Sequence, residues 1–407
     1  MTVDRVMTSG VGTDAGTRWR VIDSFDQVQR YECQWDRLAV ASGKPTCRPA
    51  WLRAWWDARC APANLVSRAL RLVVVTKDER LVGLFPGFLV DRNSRLPELR
   101  LLGKDTFWSV EPLVSHDAPE ETLALFARAL SDTPPPPVRV VLSLVPKRPE
   151  WPRELRRQWP GGPTWLRRGF RRNLLVIEGP ISSEAWLAGL SRHQRADLRR
   201  CARRRAQAGV EVLCTESPKA VRDDVHALVE LHHARWKRQS GWLIEGVEDT
   251  IAEAGRLLVG KGDFRLWKVV RGEEVLGAAI FARAGNASEL LLTAFDPAWS
   301  RLGPGREAIV TGIRHELDTG VQSIDFGYGG FKYLQRLSNA EHPVVGYELF
   351  PADLRMPIAR ARLLIPHSRE RLGNWRNRLA RRLGASRLGS RALEVRSERR
   401  NRRSESD

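Results

Sequence analysis

The sequence predicts an α/β fold of the α+β kind, built from two units that each contain a mixed, largely antiparallel sheet flanked by helices. Its 407 residues exceed one ordinary core and suit two domains with a tail. Helical and strand patterns run twice in the same order, as helices, antiparallel strands, and then a helix and a strand. A stretch rich in Pro, Gly, Trp and Arg, residues 146–163, separates the two series.

The first unit is predicted at residues 18–150, after a flexible start at 1–17, and residues 151–163 are predicted as a linker. Alternating or continuous apolar runs predict its strands at 18–22, 69–76, 80–90, 99–102 and 138–145. Helical periodicity predicts its helices at 25–42, 50–58 and 119–130, with a short one at 152–158 in the linker.

The second unit is predicted at residues 164–352, followed by an Arg-rich tail at 353–407. Its predicted strands are 174–178, 210–215, 264–270, 274–282, 288–295, 323–326 and 344–350. Its predicted helices are 182–207, 218–239, 248–258 and 304–318, with a helical turn at 331–337. The helix 182–207 has a Ser at its start and ends before Gly209.

A glycine-rich turn, Ser300–Gly305, joins the apolar strand at 289–295 to the following helix. Glycines let backbone approach a ligand, and Pro304 suits a first helical position. Free N–H groups at such a helix start bind anions, for example the pyrophosphate of a nucleotide-like cofactor such as coenzyme A. Any tight strand-to-helix connection can use the same residues, so the motif alone leaves both interpretations open.

A series of motifs runs in one order through the second unit: Leu190, Ser191, Arg195, Leu198, Arg199, Arg200, Gly209, Leu231, His232, Arg235, Trp236, Phe295, Asp296, Pro297, Gly303, Gly305, Asp325, Phe326, Gly327, Gly330 and Lys332. The first unit adds Trp35, Leu38, Pro49, Trp51, Leu52, Trp55, Trp56, Leu81, Val82, Gly83, Pro86, Leu101, Leu102 and Gly103. This series, over roughly residues 30–350, resembles the GNAT-superfamily acetyltransferases of the cellulose-biosynthesis, CelD/BcsL-like type, which are similar to the Fem aminoacyl transferases.

The resemblance implies tandem GNAT-like domains and acyl transfer from acetyl-CoA or another acyl-CoA. It implies an oxyanion-binding backbone N–H near Leu292, Thr293 and Ala294. The turn residues Arg301, Gly303 and Gly305 would bind the donor. Ser300 departs from the family pattern, which begins with Gln or Arg at that position, so the donor is left open.

Acyl transfer also needs a proton acceptor and an acid for the leaving group. The candidate acids are Tyr328 and Tyr333, each of which has packing as its ordinary role. Asp325 ends a buried strand, where it serves either as a base or as a cap for the next turn. The other candidate bases are His232, which matches the family position, and Asp296, Glu289 and His315.

A very basic helix and a basic tail account for much of the net charge of +19. Arg195, Arg199 and Arg203 lie on one helical stripe, which is either a solvated face or an anion-binding one. We expect Arg199 and Lys332 to contact the donor. The tail, with sixteen Arg against five acidic residues over 355–407, is predicted to be solvated or to bind an anionic membrane surface or tRNA.

Five scattered cysteines and the lack of a long apolar run predict a reduced, cytoplasmic protein without a metal site, peripheral at the inner membrane face if the tail binds lipid. Three functions follow from these patterns. The first is an N- or O-acyltransferase acting on an amino or hydroxyl group, for example of a sugar or exopolysaccharide precursor. The second is an aminoacyl-tRNA-dependent transferase, and the third is a non-catalytic GNAT-like binding protein.

Overall fold

The computed structural model describes residues 11–14, 16–59, 68–117, 119–146, 151–162, 164–236, 243, 245–328 and 332–362. The predictions for residues 1–10, for Phe331 and for the tail beyond 362 lie outside these residues. The described residues up to Ala352 form one compact unit, and residues 353–362 belong to a second. No helix within the described ranges has the length and apolarity needed to cross a membrane.

Strands and helices alternate along the described chain. The strands are β1 (Val11–Asp14), β2 (Thr17–Ile22), β3 (Arg68–Lys77), β4 (Arg80–Val90), β5 (Glu98–Leu101), β6 (Leu113–Val114), β7 (Arg139–Pro146), β8 (Trp165–Glu178), β9 (Glu211–Cys214), β10 (Phe264–Arg271), β11 (Glu274–Ala284), β12 (Ala287–Phe295), β13 (Ser323–Tyr328) and β14 (Ala340–Phe350). The helices are α1 (Phe25–Val28), α2 (Glu32–Ala41), α3 (Pro49–Arg59), α4 (Pro119–Asp132), α5 (Trp151–Arg157), α6 (Ser183–Gly189), α7 (Arg192–Gln207), α8 (Val221–Trp236), α9 (Val247–Leu258), α10 (Pro304–Asp318), α11 (Lys332–Gln335) and α12 (Met356–Arg362).

All these strands belong to one sheet. Its order is β1-β2-β3-β4-β5-β7-β14-β8-β13-β12-β11-β10-β9, and β6 pairs with β4. Only the β5–β7 and β12–β13 pairs are parallel among the described ladders. The predicted fold class, a mixed α/β fold with a largely antiparallel sheet and flanking helices, is confirmed. β14 pairs with β7 on one side and with β8 on the other, so hydrogen bonding continues across the predicted linker. The division into two GNAT-like domains stays a prediction.

The larger hydrophobic core contains side chains from both halves of the sequence. α3 buries Trp51, Leu52 and Trp55, whose spacing places them on one helical face. The ring of Trp51 lies 6.2 Å from that of Phe264 on β10. Burying a large apolar side chain stabilises the folded state by about 1.5–3 kcal/mol. This packing therefore stabilises the contact between the two halves of the sequence.

The prediction of one helix over 182–207 was wrong, because the chain bends at Leu190 and Ser191 between α6 and α7. Ser191 begins α7 with a capping box, in which its hydroxyl accepts from the N–H of Gln194 and the Gln194 side chain accepts from the Ser191 N–H. β8 begins at Trp165, well before the predicted residue 174, because its exposed first part lacks the apolar alternation that predicts a strand. The short strands β1 and β6 were not predicted.

Candidate active site

The strands β12 and β13 separate after a short parallel contact. They pair only from Ala287–Ser323 to Glu289–Asp325. Beyond that point β12 continues along β11, while β13 continues along β8 and pairs Tyr328 with Leu174. The two strands therefore diverge, and we call this opening the β12–β13 fork.

A β-bulge lies on the β12 arm of the fork. The register against β11 pairs Phe281 with Leu290 and Ile280 with Leu292, so Leu291 is the extra residue. A bulge leaves a residue outside the regular hydrogen-bond ladder and redirects its backbone. The predicted oxyanion segment, Leu292–Ala294, thus begins one residue after the bulge.

A cavity of about 840 Å³ is lined by both arms of the fork. Leu290–Thr293 contribute from β12, and Phe326 and Tyr328 from β13. The first half of the chain contributes Lys104 and Trp108 to the same wall. The cavity is thus large enough for a small ligand and combines apolar walls with a few polar groups, as ligand sites generally do.

Two carboxyl groups lie side by side at the base of the fork. Glu289 and Asp325 are partners in the parallel register, so their side chains leave the same face of the sheet. Glu289 is 4% exposed and accepts hydrogen bonds from the hydroxyls of Ser109 and, at 3.1 Å, Thr46. Asp325 is half-buried and accepts from the Gly327 N–H at 2.6 Å. Through this last bond Asp325 caps the following turn, which is one of the two roles predicted for it.

Burial dominates the protonation of both carboxyl groups. It raises the pKa of Glu289 to about 7, with a further rise from the charge of Asp325 and opposition from Ser109 and Lys44. Burial raises the pKa of Asp325 to about 6, against the lowering effects of the Gly327 N–H and Lys44. Between these values the pair holds one proton, which is the state of a base poised near neutral pH.

A buried ion pair from the first half of the chain supports the carboxyl pair. Lys44 pairs with Glu111, whose other oxygen accepts from the indole N–H of Trp151 at 3.1 Å. Burial opposes the charged form of Lys44, but Glu111 more than compensates and raises its pKa. The positive charge of Lys44 is therefore fixed beside Glu289 and Asp325.

His232, on α8, lines the cavity and is 8% exposed. Neither ring nitrogen has a hydrogen-bond partner among the described residues. Burial, followed by the charges of His233 and Arg235, lowers the pKa of His232 to about 4. The imidazole is thus neutral at pH 7 and suits hydrogen bonding to a ligand better than holding a proton.

Both predicted acids line the cavity. Tyr328 is 43% exposed at the end of β13, and Tyr333 is half-buried on α11. Burial raises the pKa of Tyr333, so its hydroxyl stays protonated at neutral pH. A protonated phenol beside the fork can donate to a leaving group.

The glycine-rich turn has the backbone predicted for it. Gly303 has φ of +63°, a left-handed conformation that favours glycine, and α10 begins directly after it at Pro304. A Cβ on Gly305 would lie 2.9 Å from the Phe295 ring, so this close approach requires glycine. The 15-residue helix α10 therefore begins at the turn, as predicted, and the binding of a pyrophosphate there stays a prediction.

α7 holds this turn in place through its basic side chains. Arg205 donates to the Leu302 carbonyl at 2.8 Å and pairs with Glu307, and Arg306 pairs with Asp197. Arg205 of the basic helix is therefore structural. Arg199 and Lys332 are exposed and, like Ala294, Arg301, Gly303 and Gly305, are not among the cavity-lining residues.

Sequence reasoning brought Asp325, Tyr328, Tyr333 and His232 to one region but missed what the first half contributes. Thr46 lies in a three-residue 3-10 helix, Pro45–Cys47, and Ser109 and Lys44 lie in loops, so none of them follows a periodic pattern. Glu289 could be recognised from the sequence as a candidate site residue, because it is a carboxylate inside an apolar strand run. Among the described residues, no cluster of three or more His, Cys, Asp or Glu side chains is arranged to hold a metal ion.

Known proteins are similar to this chain in two ways, in sequence to one family model and in fold to solved structures. Residues 192–334 match the family model described as an acetyltransferase (GNAT) domain. No curated protein matches the chain in sequence. The fold is similar to that of FemX, with a TM-score of 0.56, 12% identity, and coverage of 77% of this chain and 95% of FemX.

Two further solved structures are similar to this chain with TM-scores under 0.5. A tandem GNAT protein from the clavulanic acid biosynthesis pathway has a TM-score of 0.41 and 14% identity, with 83% of this chain and all of the other covered. The C-terminal domain of a lysylphosphatidylglycerol synthetase from Agrobacterium fabrum, described there as putative, has a TM-score of 0.46 and 10% identity, with 83% and 94% covered. Residues 192–334, which contain the β12–β13 fork, match the model of a GNAT acetyltransferase domain, and this match supports an acyltransferase.

Proposed function

We propose that the protein transfers an acyl group from acyl-CoA to an amino or hydroxyl group of an acceptor bound in the fork cavity. One observation carries this proposal: the carboxyl pair Glu289 and Asp325 lies where β12 and β13 separate, and the residue that follows each of them on its strand, Leu290 or Phe326, lines the cavity. A diverging strand pair gives an extended acyl-thioester arm room to lie between the strands. The carboxyl pair can accept the proton that the acceptor loses.

The donor is proposed to lie across the glycine-rich turn and along β12. The free N–H groups after Gly303 would bind its pyrophosphate, with Arg301, Arg199 and Lys332 as the surrounding cations. The backbone N–H groups after the bulge, at Leu292–Ala294, would stabilise the oxyanion that forms at the thioester carbonyl.

The proton leaves the acceptor as its nitrogen or oxygen attacks the carbonyl carbon. Asp325 is proposed as the base, with Glu289 as the partner that shares its proton. The bond from carbon to sulfur then breaks, and Tyr333 or Tyr328 protonates the leaving thiolate. His232, held neutral, is proposed to position the acceptor through its unpartnered ring nitrogens.

The acceptor is proposed to be a sugar or exopolysaccharide precursor. Trp108, Phe170, Trp236 and Tyr347 line the cavity, and flat aromatic faces suit the apolar faces of sugar rings. Lys104 adds a cation whose pKa is lowered by burial and by Arg100. The cavity would thus accept a ring with one polar or anionic substituent.

An aminoacyl-tRNA donor is the second candidate, favoured by the exposed arginines of α7. The two donors are separated by supplying each, with a labelled acyl group, to the same panel of amino sugars and hydroxyl acceptors. We expect label transfer from acetyl-CoA, and none from aminoacyl-tRNA. Transfer from aminoacyl-tRNA alone would replace the first function with the second.

A further inference from the structure

Arg235, near the C-terminal end of α8, lines the fork cavity together with His232 and Trp236 of the same helix. Residues three and four positions apart lie on one face of a helix, so α8 presents all three side chains to the cavity. His232 has a role in the proposed function, whereas Arg235 has none.

Two aromatic rings contact the guanidinium of Arg235. Its central carbon lies 4.4 Å from the ring centre of Phe295, at the end of β12, and 5.4 Å from that of Trp236. A guanidinium carries five N–H donors in one plane, and the face of an aromatic ring offers them no oxygen or nitrogen acceptor. These contacts therefore restrict the position of the group without satisfying its donors.

No acceptor within the described ranges satisfies these donors. Arg235 is half-buried, and it makes neither an ion pair nor a hydrogen bond with another described residue. Arg139, another cation of the cavity wall, instead pairs with Glu98 and Glu348. A partly desolvated guanidinium without an acceptor costs free energy, and an anionic ligand in the cavity would remove that cost.

The charge of Arg235 acts on two side chains of the proposed mechanism. After burial and His233, it lowers the pKa of His232, and it opposes the rise that burial causes in the pKa of Tyr333. His232 is 8% exposed, and neither of its ring nitrogens has a hydrogen-bond partner among the described residues. A neutral imidazole offers one N–H donor, so two side chains of α8 bring unsatisfied donors to the cavity.

A carboxylate matches these donors. Its two oxygens accept the paired N–H groups of one guanidinium in a planar fork, and its single negative charge balances that of Arg235. We infer that Arg235, with the N–H of His232, binds a carboxylate of the acceptor, so that the protein acylates an acid that also carries an amino or hydroxyl group, for example an amino sugar acid. This inference rests on the proposed function, because the amino or hydroxyl group lies towards Asp325 while the carboxylate lies at α8.

Two matched sugars test the inference: glucosaminuronate has a carboxylate where glucosamine has a hydroxymethyl group. Isothermal titration without a donor, in the full-length protein, measures their binding apart from any turnover. The wild type is expected to bind glucosaminuronate about tenfold or more tightly than glucosamine, and Arg235→Gln is expected to lose that difference. Arg222→Gln removes an exposed arginine from the beginning of α8, where it pairs with Asp249, and should preserve the difference.

Three results would overturn the inference. The first is equal binding of the two sugars, or no binding of either, in the wild type. The second is a difference that survives Arg235→Gln but is lost in Lys104→Gln, which would assign the carboxylate to Lys104. The third is tighter binding of glucosamine 6-phosphate than of glucosaminuronate, which would replace the carboxylate with a phosphate.

Titration with acetyl-CoA separates the inference from the proposed function. Arg235→Gln is expected to bind acetyl-CoA with unchanged affinity, and a loss as large as that for glucosaminuronate would assign Arg235 to the donor and overturn the inference. A carboxylate preference that depends on Arg235, in a protein that does not bind acetyl-CoA, would overturn the proposed donor alone. Arg235→Lys keeps the charge without the planar fork, and it repeats the test if Arg235→Gln unfolds.

Discussion

Two carboxyl groups and one histidine illustrate how burial assigns chemical roles at the scale of single residues. Burial raises the pKa of Glu289 and Asp325 towards neutrality, and it lowers the pKa of His232 to about 4. The acid side chains thereby become suited to accept a proton near pH 7, and the imidazole loses that capacity. From sequence alone both His232 and Asp325 were candidate bases, and their protonation could not be predicted because burial is a property of the assembled fold.

Asp325→Asn tests the proposed base. The wild-type kcat/KM is expected to rise with pH through about 6 as Asp325 loses its proton, and the variant is expected to lose that limb and about 100-fold in rate. Asp105→Asn makes the same change at a residue that lines the cavity and should alter the rate little. A variant that keeps the limb near pH 6 would exclude Asp325 as the base.

The raised pKa values also link the site to stability. A carboxyl group with a raised folded-state pKa contributes stability at acid pH, and that contribution is lost as the pH rises through the folded pKa. For Asp325 and Glu289 the loss falls between about pH 4 and 7. The two carboxyl groups therefore make the folded protein less stable at neutral pH than at acid pH.

At the scale of elements, α10 performs two tasks in one helix. Its first turn is the proposed anion site after Gly303, and its apolar face packs on the sheet through Ile309 and Ile313. Near its C-terminal end it also buries Glu316, which is 0% exposed, and neither carboxyl oxygen has a hydrogen-bond partner among the described residues. Burial raises the pKa of Glu316, although Arg283 and Arg265 oppose the rise.

Glu316→Met is expected to stabilise the protein by about 1–3 kcal/mol at pH 8, because it removes a buried carboxylate whose oxygens have no hydrogen-bond partner among the described residues. The raised pKa makes the wild type more stable at low pH, so the advantage of the variant should shrink at pH 5. Urea unfolding at both pH values measures this, with the exposed Glu211→Met as control. A variant that is destabilised at pH 8 would show that Glu316 has a stabilising partner.

The bounds of α10 were predicted from sequence without error, because Pro304 and the glycines mark its start and its apolar period marks its length. The break between α6 and α7 was missed, since Ser191 lies within a continuous helical pattern. The Ser cap predicted at the start of residues 182–207 is confirmed for α6, where Ser182 accepts from the Ala185 N–H. The second cap, at Ser191, was missed because its capping box is visible only with Gln194 three residues on.

At the scale of the whole molecule, the order of strands along the chain was largely predictable, but their order in the sheet was not. Apolar runs locate β3, β4, β11 and β12 because each strand carries its own pattern. The position of β14 between β7 and β8 depends on pairing between distant segments, which no local pattern encodes. The same holds for the site, where Thr46 and Ser109 reach Glu289 across more than 100 residues of sequence.

The central claim is that the fork and the turn before α10 bind an acyl-CoA donor. Isothermal titration with acetyl-CoA tests it in the wild type, in Gly303→Glu and in Gly320→Glu. Gly320 has φ of +90° and nothing within 4 Å of an added Cβ, so its variant matches the backbone strain and charge of the first at another site. We predict micromolar binding that is lost only in Gly303→Glu. Absence of binding in the wild type, or equal binding in all three proteins, would contradict the account.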